Sequence, residues 1–312
     1  MPLPPQPVDY AELATQWDTY GSMRLPYDTE TEYEEVPLGV FVLTEVMVRE
    51  GGEGATMEVI GVDRSIRIQK AAWVDPYSID TGTNLTTALN GLLTSRWPDV
   101  SASLQATSQT VPKTTLGLRG GSSDPWKDAQ QIASSGGFDL YFDAEGDAVL
   151  VAVSDPGEQS PVESYVEGAE AMVTEIQRRI STDDTYNGVV VTGEGSRVKP
   201  PVRATLFDED NTSPTYRYGP FGDRPKFIST SLVTTASAAA VVAAAELSKL
   251  KGAEENVEWS QICDPSLDAG DVILVENTGT RLSKVVVIDK LQIPLGADQG
   301  MRAVARTVRV LS

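Results

Sequence analysis

The chain has 312 residues, 40% hydrophobic and 22% charged, a globular composition long enough for two or three modules. Its 25 Lys and Arg against 45 Asp and Glu give a formal charge of −20. That balance opposes binding to nucleic-acid phosphates and to an acidic membrane leaflet. With no histidine and one cysteine, Cys263, the chain has no Ser–His or Cys–His nucleophile pair, histidine metal site, thiolate zinc site or intrachain disulfide.

No apolar run is long enough to span a bilayer as a helix, and MPLPPQPVDY lacks the basic start and apolar core of a secretory signal. A reducing cytosol, or indifference to redox state, is expected. The four prolines among the first ten residues predict an extended arm. VPLGVFVLTEVMV (36–48) and ATMEVIGVD (55–63) read as strands joined by a glycine-rich hairpin turn. SIRIQK (65–70) extends the alternation.

The period changes over residues 80–153. Asn84 stands at a helix N-cap, and Leu85, Ala88, Leu89, Leu92 and Leu93 share one helical face up to Pro98. A second helix starts at Asp124-Pro125, lines Trp126, Ala129, Ile132 and Ala133 along one face, and stops at Gly136-Gly137. FDLYF (138–142) and AVLVAV (148–153) flank an acidic turn as a hairpin. SDPGEQSPVES (154–164) reads as a linker.

Strands are expected again at YNGVVVTGEG (186–195) and PVRATLFDED (201–210), followed by a turn-rich loop over 211–225 with three aromatics. TTASAAAVVAAAELSKLKG (234–252) is the strongest helix, with threonine capping, an alanine body and Gly252 as its stop. NVEWSQI (256–262), DVILVE (271–276), KVVVIDKLQI (284–293) and MRAVARTVRVL (301–311) complete the strands. In the turn before DVILVE, Gly270 is expected at positive φ and Asp271 bonded to nearby amides. Charge is uneven: residues 1–60 carry twelve acids and two bases, whereas 281–312 carry six bases and two acids. Such polarity can orient one subunit against another.

Little chemistry survives these exclusions. The carboxylate groups are Asp183-Asp184, Asp208-Glu209-Asp210 and Asp143…Glu145…Asp147. A glycosidase needs two carboxylates on facing walls of a cleft, but these are local clusters in turns and read as solvated loops. Neither Asp208/Asp210/Thr212 nor Asp143/Glu145/Asp147 completes a calcium loop. GSSDP (121–125) and TGEGS (192–196) lack the Gly-Lys-Ser/Thr of a phosphate loop. Trp17, Trp73, Trp97, Trp126 and Trp259 are scattered and read as core or interface anchors. Cys263 reads as a small core residue. No catalytic, cofactor-binding or metal residue is assigned, and no cofactor is expected.

The order of segments resembles the tail-hub, or minor tail, proteins of long-tailed (siphovirus-type) actinobacterial phages, which are similar to the baseplate hub of contractile tails. The resemblance is carried by VPLGVFVLTEV (36–46), GVDRS (61–65), SDPWKDAQQIASSGGFDLYFDAEGDAVL (123–150), TYNGVVVTGEG (185–195), PVRATLFDEDNTSPTYRYGPFGDRPKF (201–227), DPSLDAGDVILVE (264–276) and VVIDKLQIPLG (286–296). It runs from about Tyr20 to the last residue. The resemblance implies a mainly β, α+β chain: two tube-like β-barrel domains, an intervening small α+β domain and an additional β-domain.

The corresponding ranges are an extended arm at 1–19, a first and abbreviated tube-like domain at 20–79, the α+β domain at 80–153 and a second tube-like domain at 154–255. Residues 256–312 form a C-terminal β-domain or complete the second barrel. The first barrel is either abbreviated or completed by a neighbouring chain.

What the family implies is a non-enzymatic virion protein at the tail tip, assembled in the host bacterial cytoplasm. It would be a homotrimer joining the sixfold tail tube, or the distal tail protein, to threefold tip, spike or fibre proteins. Its lumen would hold the C-terminal end of the tape-measure protein and pass DNA only in transit, with no stable membrane binding. The competing readings are a carbohydrate-binding β-module for host contact, the hub of a contractile injection system or tailocin, and, last, a carboxylate-dependent hydrolase.

Overall fold

A computed structural model describes residues 22–29, 32–51, 54–117, 124–166, 172–183, 185–193, 201–251, 255–295 and 299–308. The expected proline-rich arm, Asp184, Gly252 and the end of the last strand lie outside the described residues. The described chain is mainly β with four α-helices and divides into two compact units. One runs to Gln131 and adds Leu140–Val151; the other holds Ile132–Asp139 and the chain from Ala152 onward.

The first unit opens with β1 (Ser22–Thr29), β2 (Glu32–Gly51) and β3 (Gly54–Asp63), in the order β1-β2-β3. β2 pairs antiparallel with β1 along Glu32–Val40 and with β3 along Phe41–Gly51. The expected hairpin is therefore present, on a longer strand than its alternation marked. SIRIQK differs from expectation: Ser65–Lys70 is a helix, α1, that buries Ile68 completely. Six residues cannot fix a period. The helix is favoured because Arg64, at its cap, and Arg67 both stack on Trp97, with guanidinium carbons 5.5 and 4.9 Å from the ring centroid.

Five short strands follow: β4 (Tyr77–Ile79), β5 (Thr83–Asn84), β6 (Ala102–Leu104), β7 (Thr110–Val111) and β8 (Thr114–Leu116). β4 pairs with β8, and β5 with β7. Between β5 and β6, α2 (Leu85–Arg96) buries the five apolar residues that its sequence places on one face. The Asn84 side-chain oxygen accepts the Thr87 N–H at 3.2 Å, and its amide donates to the Thr107 carbonyl at 2.6 Å. One residue thus caps the helix and fixes the segment beside it.

The second helix, α3 (Pro125–Ser135), starts at its proline, with the Asp124 carboxylate accepting the Lys127 N–H at 3.0 Å. β9 (Phe138–Phe142) and β10 (Ala148–Ala152) are neighbours in a β6-β10-β9 sheet. Gly146, at φ +81°, lets their turn approach β2; a β-carbon there would lie 2.8 Å from that of Val40. Arg64 Nη1 donates to the Gly146 carbonyl at 3.0 Å. The root of the β2–β3 hairpin is clamped at this point.

The second unit has two sheets. Its elements are β11 (Glu163–Val166), β12 (Val173–Ile180), β13 (Gly188–Gly193), β14 (Arg203–Phe207), β15 (Pro225–Thr230), α4 (Ala236–Leu250), β16 (Glu255–Gln261), β17 (Val272–Asn277), β18 (Leu282–Gln292) and β19 (Met301–Thr307). The smaller sheet, β14-β13-β15, lays Val189 and Val191 against Ala239, Val242 and Ala243 of α4. Thr235 caps α4, as the sequence predicts, by accepting the Ala238 N–H at 3.1 Å. The alanine face admits close neighbours: a β-carbon at Gly137, itself at φ +78°, would lie 2.9 Å from Val241 Cγ1.

The larger sheet, β11-β17-β18-β19-β16-β12, curls into a half-barrel around Trp259, Ile273, Val286, Ile288, Met301 and Ala303. Its strands come from both sides of residue 255. The expected tube-like barrel is here a half-barrel: among the described residues each sheet ends in two edge strands rather than joining first to last. The turn before β17 matches expectation, with Gly270 at φ +103° and the Asp271 carboxylate accepting the Asp268 N–H at 2.8 Å.

Replacing Asn84 by Ala should lower unfolding free energy by about 1–2 kcal/mol. Asn84→Asp, which keeps the acceptor alone, should cost less. Urea unfolding of the three proteins checks the ranking.

Candidate functional site

The β2–β3 ribbon carries seven exposed large apolar side chains between Val46 and Val62. Val46 stands opposite Val59, and Val48 opposite Met57. These four side chains are 51%, 42%, 67% and 68% exposed, respectively for Val46, Val59, Val48 and Met57. An irregularity between Leu43 and Glu45 places the extra residue Thr44 in β2, and the Thr44 hydroxyl donates to the Ile60 carbonyl at 3.2 Å.

This β-bulge resets the alternation. Phe41 and Leu43, half-buried at the root, pair with Asp63 and Gly61, so they share a face with Val46, Val48, Val59 and Met57. The apolar stripe therefore begins at half-buried residues of the root and continues into water. The opposite face mixes Glu45, Arg49, Glu58 and Thr56 with Met47 and Ile60. There Arg49 lies 3.7 Å from Glu58 and donates to the Met47 sulfur at 3.0 Å.

The half-barrel closes its two ends with polar groups. At one end Glu255, 5% exposed, accepts from Arg178 at 2.5 Å and Lys284 at 2.6 Å. Arg178 also donates to the carbonyls of Thr280 and Arg281, each at 3.3 Å, and so braces a turn in which Arg281 takes φ 55°. Burial pushes the Glu255 carboxyl up, but the hydrogen bonds and charges of Lys284 and Arg178 outweigh it and hold it below the usual range.

At the other end Trp259 donates to Gln261 at 2.5 Å, Gln261 donates to the Tyr165 hydroxyl at 3.0 Å, and Tyr165 donates to Asp264 at 3.2 Å. Burial, reinforced by the Asp264 charge and opposed by the Gln261 hydrogen bond, pushes the Tyr165 phenol up to about 12.

Two of the carboxylate clusters are hydrogen-bonded within their own turns. Asp143 shapes the β9–β10 turn by accepting the Asp147 N–H at 2.8 Å. Asp208 corrects the expectation of a solvated acidic turn. It is buried, and its carboxylate accepts from the hydroxyls of Ser213 and, at 2.7 Å, Thr215. Asn187, also buried, donates to the carbonyls of Thr215 and Gly222, each at 2.7 Å. This polar lock shapes the 208–224 loop, where Arg217 lies 4.0 Å from the Phe207 ring centroid and pairs with Glu209 and Asp223.

Among the described residues no group of three or more Cys, Asp and Glu could hold a metal ion. Trp73, Trp126 and Trp259 are buried, and Trp97 is half-buried. An open depression of about 410 Å³ is lined by Val166, Glu276, Asn277, Arg281, Leu282 and Ser283; it has one basic and one acidic side chain and no buried reactive pair. Among the described residues no helix is long and apolar enough to cross a membrane. Among the described residues, open sheet edges and an exposed ribbon face are what this surface offers to a partner.

No protein-family model and no curated protein matches the sequence. Solved structures do match the fold. The tail protein from Neisseria meningitidis MC58 superposes with a TM-score of 0.64 at 12% identity, over 88% of this chain and 81% of that one. The prophage MuSo2 43 kDa tail protein from Shewanella oneidensis gives 0.61 at 13% identity, over 93% and 88%. Prophage tail protein gp18 from Listeria monocytogenes EGD-e gives 0.54 at 12%, over 89% and 82%. The chain has the fold of phage and prophage tail proteins. Sequence reasoning found the hairpin but missed the bulge, whose signal is the broken alternation in Leu43-Thr44-Glu45-Val46.

The half-barrel predicts stability limits at both ends of the pH scale. A carboxyl held low in the fold contributes fully above its unfolded value, and the contribution is lost as pH falls through the folded one. Glu255→Gln should cost about 2 kcal/mol at neutral pH, less than a fully buried pair because Lys284 is 43% exposed. The deficit should shrink in acid. A phenol held high loses its contribution as pH rises from about 10, where the unfolded chain ionises, through 12. Tyr165→Phe should remove that alkaline decline, read as unfolding free energy against pH.

Proposed function

We propose that the chain is a structural subunit of a phage tail, the hub at the distal end of a long-tailed actinobacterial phage. Sharing a fold with tail proteins over about nine-tenths of the chain is the observation that carries this reading. In it, a homotrimer forms a ring between the tail tube, or distal tail protein, and the tip, spike or fibre proteins. Residues 20–79, and 154–255 together with 256–312, supply tube-like β-domains, with the α+β module of 80–153 between them. The lumen holds the end of the tape-measure protein and later passes DNA.

The physics of the chain supports each part. Open sheet edges and an apolar ribbon face are features that a monomer leaves unsatisfied and a ring covers. A conduit should not retain its cargo, and a chain of charge −20 does not invite phosphate. The protein acts by shape and contact, with no turnover.

The test is made on particles. Tails purified from a phage encoding this chain should contain it at the distal end in a multiple of three copies, by mass spectrometry and antibody labelling. Phage lacking the gene should yield defective tails that are rescued in trans. Intact, infectious tails without the protein would overturn the reading.

A further inference from the structure

The smaller sheet of the second unit, β14-β13-β15, has two unlike faces. Val189 and Val191 point to α4, so by alternation Gly188 and Val190 point away from it. Phe207 stands opposite Gly188, and Phe227 opposite Val190, so both rings belong to the face turned from α4. Phe207 lies flat over the central strand: a β-carbon at Gly188 would come within 2.3 Å of its ring. The Arg217 guanidinium stacks on Phe207 at 4.0 Å and reaches the Tyr218 ring at 4.9 Å. Tyr218 therefore extends the same aromatic surface. β13 and β15 run parallel, and parallel strands are ordinarily covered on both faces. Here Phe227 is 71% and Tyr218 69% exposed, the two most exposed aromatic side chains among the described residues.

These rings are held in place before any partner arrives. The loop that carries Tyr218 is fixed by the buried Asp208 and by Asn187, whose amide donates to the Thr215 and Gly222 carbonyls. A rigid aromatic side chain loses little conformational freedom when it is covered.

The chemistry of the occupant is written into the same loop. Arg217 lies on aromatic rings with the Glu209 and Asp223 carboxylates at 3.4 and 3.1 Å. Arg224 repeats the stacking on Phe221 at 4.5 Å. Glu209 and Asp223 still expose 65% and 50% of their side chains. The surface is thus a pair of open ring faces with an acidic border, and its complement is a cationic side chain. Nucleic-acid phosphate and an anionic membrane are repelled by the border and by the net charge of −20.

We infer that the face of β14-β13-β15 turned from α4, centred on Tyr218 and Phe227, docks a basic segment of another protein, whose Arg or Lys side chains stack on these rings beside Glu209 and Asp223. That the other protein is a tail component rests on the reading above; the contact itself rests on the face.

The experiment measures binding of a fluorescent hexa-arginine peptide to the full chain by anisotropy at physiological salt. A chain this acidic attracts any polycation, so the deciding variant leaves its charge unchanged. Tyr218→Ala with Phe227→Ala should weaken binding at least about fivefold, with the melting curve in place. Phe227→Ala alone, which leaves the Arg217 stack intact, should weaken it by a smaller factor. Tyr141→Ala, at an aromatic residue 45% exposed in the other unit, should bind like the parent. A hexa-citrulline peptide and a neutral dextran should not bind.

The inference is overturned if the ring variants bind the arginine peptide like the parent. It is also overturned if dextran binds through Tyr218 and Phe227, which makes the face a glycan platform. Failure here is distinguishable from failure of the tail reading. A chain absent from tails whose peptide binding still depends on the two rings keeps the face and loses the tail. A chain found in tails, with ring variants that bind the peptide like the parent, keeps the tail and loses the face.

Discussion

The constraint on which the rest depends is an apolar stripe that, among the described residues, is covered only at the root. Fully burying a Val or Met side chain contributes roughly 1.5–3 kcal/mol, and four such residues on the outer ribbon are 42–68% exposed. At the root, Phe41 and Leu43 lie against Gly61, where a β-carbon would come within 3.2 Å of that of Phe41. The clamp of Gly146 and Arg64 then fixes where the ribbon leaves the core. The result is a stiff base with an unsatisfied extension, which is a sensible form for a building block and a poor one for a solitary globule.

The second unit resolves a similar difficulty differently. A curled sheet that does not close leaves the ends of its core near water. Here the ends are capped by Glu255 between two cations and by the Trp259–Gln261–Tyr165–Asp264 chain. Each group in these plugs is hydrogen-bonded, so the polar ends of the core are satisfied within the chain. The buried Asp208 follows the same logic in the neighbouring loop: its hydrogen bonds set a shape.

Much of the fold was legible where local signals agreed. Asn84 followed by a leucine face, Asp124-Pro125 as a start, Thr235 before an alanine run and Gly270-Asp271 before a strand each combine a special residue with a clear period. What escaped were places where tertiary contacts decide. In VTEIQRRI (173–180) the apolar residues fall at helical spacing, yet pairing with β16 and a bulge near Val173 make it a strand. SIRIQK alternates over too few residues, and Trp97, some thirty positions on, tips it to helix. The burial of Asp208 depends on Ser213 and Thr215 folding back, which no composition rule announces. The candidate surface was half visible: strands could be read, but which face stays apolar turns on one inserted residue.

β2 is one continuous strand of 20 residues, bulged at Thr44 and about 65 Å long at the usual rise per residue. Its first half is bonded to β1 and its second to β3, so a pull on the ribbon tip travels along a single backbone. The two sets of cross-strand bonds run perpendicular to that line and share the load in shear rather than yielding one by one. The strand is placed to act as a tension member between the hairpin tip and the root of its unit.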